Sequence, residues 1–273
     1  MILFPNSKIN LGLNIFSKRS DSYHNIETVF YPIAWSDILE IQPGVNNPAK
    51  AVTFTQSGIK IYGEPNQNLC VKAYHLIAAH HPITAVQIHL HKIVPIGAGL
   101  GGGSSDAAFT LLALNKLFSL KLSDSTLQNY ASQLGSDCAF FIRNTPLLAT
   151  EKGDHFTNVD LNLKDYHIVV VKPKISVSTA EAYKNVSPTS TSVPIKDILK
   201  LPITNWKNHL VNDFEESVFQ KSPSIEKIKE KLYKHGAIYA CMSGSGSAVF
   251  GLFQKPTDMK TLFRGCTIWE GKL

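Results

Sequence analysis

The chain alternates most cleanly near its start. From Lys8 to Phe16 the apolar Ile9, Leu11, Leu13 and Ile15 point one way, and Lys8, Asn10, Gly12 and Asn14 the other. Period two predicts a half-buried strand. A polar turn, Lys18–Asn25, precedes a second predicted strand over Ile26–Ile33. Shorter strands are expected over Asp37–Gln42, Val52–Gln56 and Ile59–Tyr62, divided by the Pro/Asn/Gly-rich Pro43–Pro48. Helical spacing then takes over, with Leu69, Lys72, Ala73, Leu76 and Ile77 behind Asn68, a suitable cap. Period two returns at Val86, Ile88 and Leu90. Further helices are expected over Ser104–Leu117, over Leu127–Leu134 up to a Gly135 cap, from Ser178, and over Ser224–Gly236. Tyr166–Val171 reads as a buried strand and Ile238–Phe250 as two strands about a Gly/Ser turn. Ser187–Val193 is expected to be a mobile loop, and Thr267–Trp269 an edge strand.

The densest local signal is Pro95-Ile96-Gly97-Ala98-Gly99-Leu100-Gly101-Gly102-Gly103-Ser104-Ser105, running into the predicted helix. Glycine lets backbone approach a ligand closely, and the first N–H groups of a helix lack intrahelical acceptors. With the helix dipole they form an anion site, and phosphate suits it. Gly97-x-Gly99-x-x-Gly102 matches the dinucleotide fingerprint formally, but Pro95 interrupts the approach and Asp124 lies in the polar run Ser123–Ser125. No Lys-Ser/Thr pair follows, so a Walker loop is excluded. A tight turn without a ligand would not need five glycines between positions 97 and 103.

A length of 273 residues suits one large domain or two modest ones. The net charge of +6 is spread without a basic run, so it fits a polyanionic small substrate as well as nucleic acid. Cys70, Cys138, Cys241 and Cys266 form no Cys-x-x-Cys pair, which argues against a disulfide framework or zinc site and for a reducing compartment. No signal peptide or membrane span is legible, so a cytoplasmic protein is expected.

Other positions admit two readings. Lys8 and Asn10 share the polar face of the first strand; that face is either solvated or lines a cleft, and Asn, which is depleted in strands, favours the cleft. Asp137 precedes the apolar run Cys138–Ile142, as either a helix cap or a catalytic carboxylate. The turn in Met242–Phe250 is either a bulged hairpin or a second glycine loop.

The loop from Pro95 to Ala108 resembles the phosphate loop of the GHMP kinases, and the resemblance runs from about residue 6 to residue 250. It implies an α+β, two-domain GHMP kinase fold: a ribosomal-protein-like N-terminal domain (1–154) and a ferredoxin-like C-terminal domain (155–273). The triple glycine and Ser22-Tyr23-His24 are similar to the branch acting on a cytidyl diphosphate polyol in isoprenoid precursor biosynthesis. That implies transfer of the ATP γ-phosphate to the polyol 2-hydroxyl, with ATP and Mg²⁺ as cofactors. By resemblance, Lys8 and Asp137 are catalytic, Lys8 keeping Asp137 ionised. Asn10, Tyr23, His24, Phe30 and Tyr183 hold the acceptor, with Tyr183 where the family usually has Phe. Pro95, Gly97, Gly99, Leu100, Gly101, Gly102, Gly103, Ser104 and Ser105 hold the nucleotide phosphates, and Asn68 and Leu69 contact its base. Lys92 is placed to line the adenine or phosphate site. The metal ligand stays open among Asp106, Ser104 and Ser105; Asp106 would repel phosphate unless a cation lay between them. Asn212-Asp213-Phe214-Glu215 is similar to a structural segment of the family. The expected partner is a small molecule, with no nucleic acid and no membrane, for a monomer or weak homodimer. The rivals are another kinase of the same family and a nucleic-acid-binding protein.

Overall fold

The computed structural model describes every residue except 45–50, 185 and 187–192. Its strands are β1 (Ile2–Leu3), β2 (Asn6–Lys18), β3 (His24–Ser36), β4 (Ile38–Pro43), β5 (Val52–Gly58), β6 (Val86–Lys92), β7 (Leu147–Thr150), β8 (His155–Asn158), β9 (His167–Lys172), β10 (Tyr239–Met242), β11 (Val249–Phe253) and β12 (Thr267–Lys272). Its α-helices are α1 (Leu69–Ala78), α2 (Gly102–Leu117), α3 (Asp124–Leu134), α4 (Cys138–Arg143), α5 (Thr179–Lys184), α6 (Ile195–Ile198), α7 (Phe214–Lys221) and α8 (Pro223–Lys234). By contact the chain forms two compact units, each of three segments: Met1–Ser7, Trp35–Ile96 and Gly101–Thr145; and Lys8–Ala34, Gly97–Leu100 and Pro146–Leu273. The expected division near residue 154 is a single cut in the sequence; these units interleave along it.

In the first unit the sheet order is β1-β4-β6-β5, antiparallel except for the parallel β5–β6 pair. A parallel pair needs a crossover, and α1 supplies it. Leu39, Ile41, Ile88 and Leu90 are buried on one sheet face, and α2 packs against β4 with Leu111 and Leu114 buried. The strand expected over Ile59–Tyr62 is absent. β5 stops at Gly58, whose φ of +76° turns the chain, and Gln56 then bonds both backbone groups of Ile61 in place of a strand partner.

The second unit holds two four-stranded sheets, ordered β2-β3-β7-β8 and β10-β11-β9-β12. Helix α8 covers the latter with Ile225, Ile228 and Leu232, all buried beside Val169, Val171 and Val249. Each such side chain contributes about 1.5–3 kcal/mol on burial. The first strand differs from expectation: β2 is buried on both faces, with Lys8, Asn10 and Asn14 only 2–3% exposed. Its polar side chains find partners inside the protein, which is what burial demands of them. Of the predicted Ser187–Val193 loop, residues 187–192 lie outside the described residues, as do residues 45–48 of Pro43–Pro48. Among the described residues no helix is long and apolar enough to cross a membrane.

Candidate active site

In the first unit, β6 ends at Lys92, and the residues from Gly101 onward open α2. The helix starts at Gly102, two residues earlier than expected, because Gly101 takes the left-handed cap conformation (φ +69°) without a side-chain cap. The first intrahelical bond runs from the Ser105 N–H to the Gly101 carbonyl (2.9 Å). The N–H groups of Gly102, Gly103 and Ser104 therefore have no acceptor within the helix. Free N–H groups at a helix start are of the kind that suits an anion.

Beneath them lies a buried ionic cluster. The Lys92 ammonium donates to Asp37 Oδ2 and, at 2.7 Å, to Asp106 Oδ2. A Cβ at Gly102 would sit 3.0 Å from Lys92 Nζ. Asp37 uses its other oxygen to accept the N–H groups of Ile93 (2.5 Å) and Val94 (2.8 Å), fixing the chain just before Pro95. Burial opposes the Lys92 charge, but the Asp106 and Asp37 carboxylates outweigh it and raise the ammonium's pKa. Burial pushes the Asp106 carboxyl up to about 7; Asp37 adds to the rise and Lys92 works against it. Asp106 Oδ1 and Ser105 Oγ are buried without hydrogen-bond partners. Lys92 is thus the cation beside Asp106, and it lies under the helix start, 3% exposed.

Asn68 caps α1 by accepting the Cys70 N–H (2.9 Å), as its sequence position suggested. With Phe54, Gln56, Ile61 and Tyr62 it also lines a cavity of about 180 Å³. Leu69 approaches within 4.0 Å of where a Gly103 Cβ would be, so the starts of α1 and α2 adjoin. Asp137 precedes α4 in the cap position, yet its side chain makes no capping bond. It accepts from Ser136 Oγ instead (3.3 Å) and is half-buried.

In the second unit, the loop residues Gly97–Leu100 are held by their carbonyls. Ala98 O accepts the Ala248 N–H (3.2 Å), Gly99 O accepts Ser243 Oγ (2.8 Å), and Leu100 O accepts the Lys8 N–H (2.9 Å). Acceptors engaged in this way do not face an incoming anion. Gly99 is obligatory: its φ is +76° and an added Cβ would lie 1.9 Å from Ser243 O. The Gly/Ser turn after β10 is therefore packed on the glycine loop. Asn212 Nδ2 holds that turn by donating to Met242 O and Gly244 O, both at 2.8 Å.

The same unit brings Lys8, Asn10 and Phe30 together. Lys8 Nζ donates to Asn10 Oδ1 (2.6 Å) and lies 4.5 Å from the Phe30 ring centroid. Asn10 Nδ2 donates to Thr28 Oγ1 (3.0 Å), and Thr28 in turn donates to Gly12 O (2.6 Å). The Asn10 N–H reaches Ser243 Oγ at 3.2 Å. A second group is aromatic. His24 and Tyr183 stack with centroids 4.7 Å apart and planes 16° apart, and Tyr183 meets Phe214 edge-on. Burial and the charge of Lys18 lower the His24 pKa, favouring the neutral ring. Tyr23 is 59% exposed under the Lys152 ammonium. The ring stacked on Tyr183 is His24, not Tyr23.

Sequence reasoning missed Asp37, Thr28 and Ser243 and read Asn212 only as structural. Asp37 reaches Lys92 across 55 positions, and no local spacing reports that pairing.

A strand feeding an uncapped, glycine-built helix start suits a phosphate-handling enzyme. The family model for the GHMP kinases N terminal domain matches residues 68–144, and that for GHMP kinases C terminal matches residues 196–267. The chain belongs to the GHMP kinases. A relative from Parabacteroides distasonis, named 4-diphosphocytidyl-2-C-methyl-D-erythritol kinase, is 52% identical over 275 residues, covering 100% of both chains. One of the same name from Cytophaga hutchinsonii is 56% identical, covering 93% of this chain and 92% of that one. A crystal structure of 4-(cytidine 5'-diphospho)-2C-methyl-D-erythritol kinase matches with a TM-score of 0.84 at 31% identity, covering 99% of this chain and 98% of that one. Methanococcus jannaschii mevalonate kinase shares the fold, with a TM-score of 0.70 at 16% identity over 99% and 97% of the two chains. The protein is a kinase with the two-domain fold of its family, taking its phosphoryl group from ATP for a small-molecule acceptor.

Proposed function

We propose that the acceptor is 4-diphosphocytidyl-2-C-methyl-D-erythritol and that the 2-hydroxyl receives the phosphoryl group. The observation that carries this reading is the full-length match to a 52% identical relative of that name. The aromatic group at His24 and Tyr183 agrees with it, since a cytosine ring stacks well on such faces. The two rings touch each other, and a base seated between them would part them.

Phosphoryl transfer asks the protein mainly to position groups and to neutralise charge. The N–H groups of Gly102, Gly103 and Ser104 would cradle phosphate oxygens. Asn68 and Leu69, beside the cavity at the start of α1, would receive the nucleotide base. Asp137 would orient or deprotonate the attacking hydroxyl, and the Lys8 ammonium would stabilise negative charge developing in transfer. Asn10 fixes Lys8 through the bond to its amide oxygen. Lys92 would act through the loop, since both of its partners are carboxylates beneath it.

Mg²⁺ accompanies ATP in this chemistry and would neutralise charge on the transferring phosphates. Ser104, half-exposed in the first turn of α2, fits as a ligand. Ser105 and Asp106 do not: both are buried, and Asp106 already faces an ammonium. Among the described residues no three His, Cys, Asp or Glu side chains gather to hold a metal. Phosphate and water oxygens would supply most of the coordination, the usual habit of Mg²⁺. Four free cysteines, three of them buried, suit a cytoplasmic location.

The test is ADP release from ATP and Mg²⁺ with 4-diphosphocytidyl-2-C-methyl-D-erythritol, mevalonate, homoserine and galactose as acceptors, for wild type and Asp137→Asn. Turnover is expected with the cytidyl acceptor alone, falling by about 10³-fold or more in the variant. Faster turnover with another acceptor would overturn the substrate, and an active Asp137→Asn would overturn the carboxylate's role.

A further inference from the structure

The open face of the first unit's sheet carries histidine chemistry that phosphoryl transfer does not use. His89 and His91 lie two apart on β6 and therefore share a face. The parallel register sets Thr55 of β5 beside His89 and Ser57 beside His91. Phe54 and Gln56, which line the cavity by Asn68, belong to the opposite face.

These four side chains are joined end to end. Thr55 Oγ1 is 2.8 Å from His89 Nδ1, His89 Nε2 is 2.8 Å from Ser57 Oγ, and Ser57 Oγ is 2.9 Å from His91 Nδ1. Two imidazole nitrogens from different residues thus converge on one hydroxyl oxygen. A hydroxyl has one proton, so it can donate to only one of them. If His89 carries its proton on Nδ1, toward Thr55, its Nε2 lone pair points at the shared position. That is the arrangement of a metal-binding histidine, whose second nitrogen is oriented by an outer partner.

We propose that His89 and His91 form a surface site for a late first-row divalent metal ion, Cu²⁺, Ni²⁺ or Zn²⁺. Imidazole suits these ions, and each nitrogen need only swing from a hydrogen-bond distance to about 2.0–2.1 Å from an ion displacing the Ser57 hydroxyl. Both rings are half-exposed, so an ion can enter from solvent. Glu40 stands opposite His89 in the β4 register but does not complete a three-residue cluster. The site is a two-nitrogen chelate completed by water, and it ranks Cu²⁺ above Ni²⁺ and Zn²⁺. Mg²⁺, which prefers oxygen, is not bound there.

The experiment is calorimetric titration of the untagged full chain with CuCl₂, NiCl₂, ZnCl₂ and MgCl₂. Cu²⁺ electron paramagnetic resonance counts the nitrogens coupled to the metal. Wild type should bind one Cu²⁺ at this site with two coupled nitrogens. His89→Asn and His91→Asn, which keep a hydrogen-bonding side chain and hence the strand, should each weaken that binding at least tenfold. Ser57→Ala removes the competing hydroxyl and should bind as well as wild type or better. Undiminished binding in either histidine variant, a one-nitrogen spectrum, or loss of binding in Ser57→Ala alone would overturn the proposal.

Discussion

Asp106→Asn tests the account of the cluster under the start of α2, and the expected result runs against the habit of counting salt bridges. The Asp106 carboxyl is pushed up to about 7 from an ordinary 3.8, chiefly by burial and also by Asp37. Between those values the folded chain holds a proton that the unfolded chain has released. Stability from this group is therefore present at low pH and is lost as pH rises toward 7. From pH 5 to pH 8.5 the loss spans about two pKa units, or roughly 3 kcal/mol at about 1.36 kcal/mol per unit. An amide cannot ionise and does not share that loss. It also leaves Lys92 paired with Asp37 as a neutral couple in place of two carboxylates on one ammonium. The stability of Asp106→Asn relative to wild type should accordingly rise by about 3 kcal/mol between pH 5 and pH 8.5. Because the comparison is between two pH values, any misfit of the amide cancels. Urea unfolding at both pH values measures it, and Trp35, buried two residues from Asp37, serves as the fluorescent reporter. A gap that stays constant or narrows with pH would refute the reasoning and assign Asp106 an ordinary ion-paired carboxylate.

Two further outcomes follow from the site. Gly99→Ala should raise the KM for ATP at least tenfold and lower Tm, because its Cβ would lie 1.9 Å from Ser243 O; Gly97→Ala, with nothing within 4 Å, should cost only the roughly 1–2 kcal/mol of a left-handed alanine. Tyr183→Phe should leave the KM for the cytidyl acceptor within about twofold, since the stack on His24 needs only the ring, whereas Tyr183→Ala should raise it about 5- to 150-fold at roughly 1–3 kcal/mol per stacked base; steady-state kinetics at saturating ATP decide both.

The strands and helices legible in the sequence are those whose apolar spacing decides their burial. Ile225, Ile228 and Leu232 lie buried along one side of α8, and Val86, Ile88 and Leu90 line the buried face of β6. The glycine loop was legible because its composition makes no sense as packing. The start of α2 was misjudged by two residues, since Gly101 leaves no capping side chain to read. The polar β2 residues were expected to line a cleft, but alternation cannot reveal that Thr28 and Ser243 meet Asn10 inside. Asp37 was invisible as the partner of Lys92 for the same reason. A buried charge looks like any other until the chain brings its counter-ion from 55 residues away.

The interleaving of the two units has a consequence for synthesis on the ribosome. The first unit's last segment ends at Thr145, so all of its residues have been made by that point. Lys8–Ala34 belongs to the other unit, and its partners come late: β7 from Leu147, the Ile195 N–H for Glu27, and Asn212 bridging to Leu13. Making Pro146–Leu273 takes about 6–26 s at roughly 5–20 residues per second. Until the later of those segments emerge, the apolar β2 and β3 stand without part of their cover, like a sheet edge waiting for its neighbour. The nascent chain thus carries its longest uncovered strands at its beginning rather than at its end.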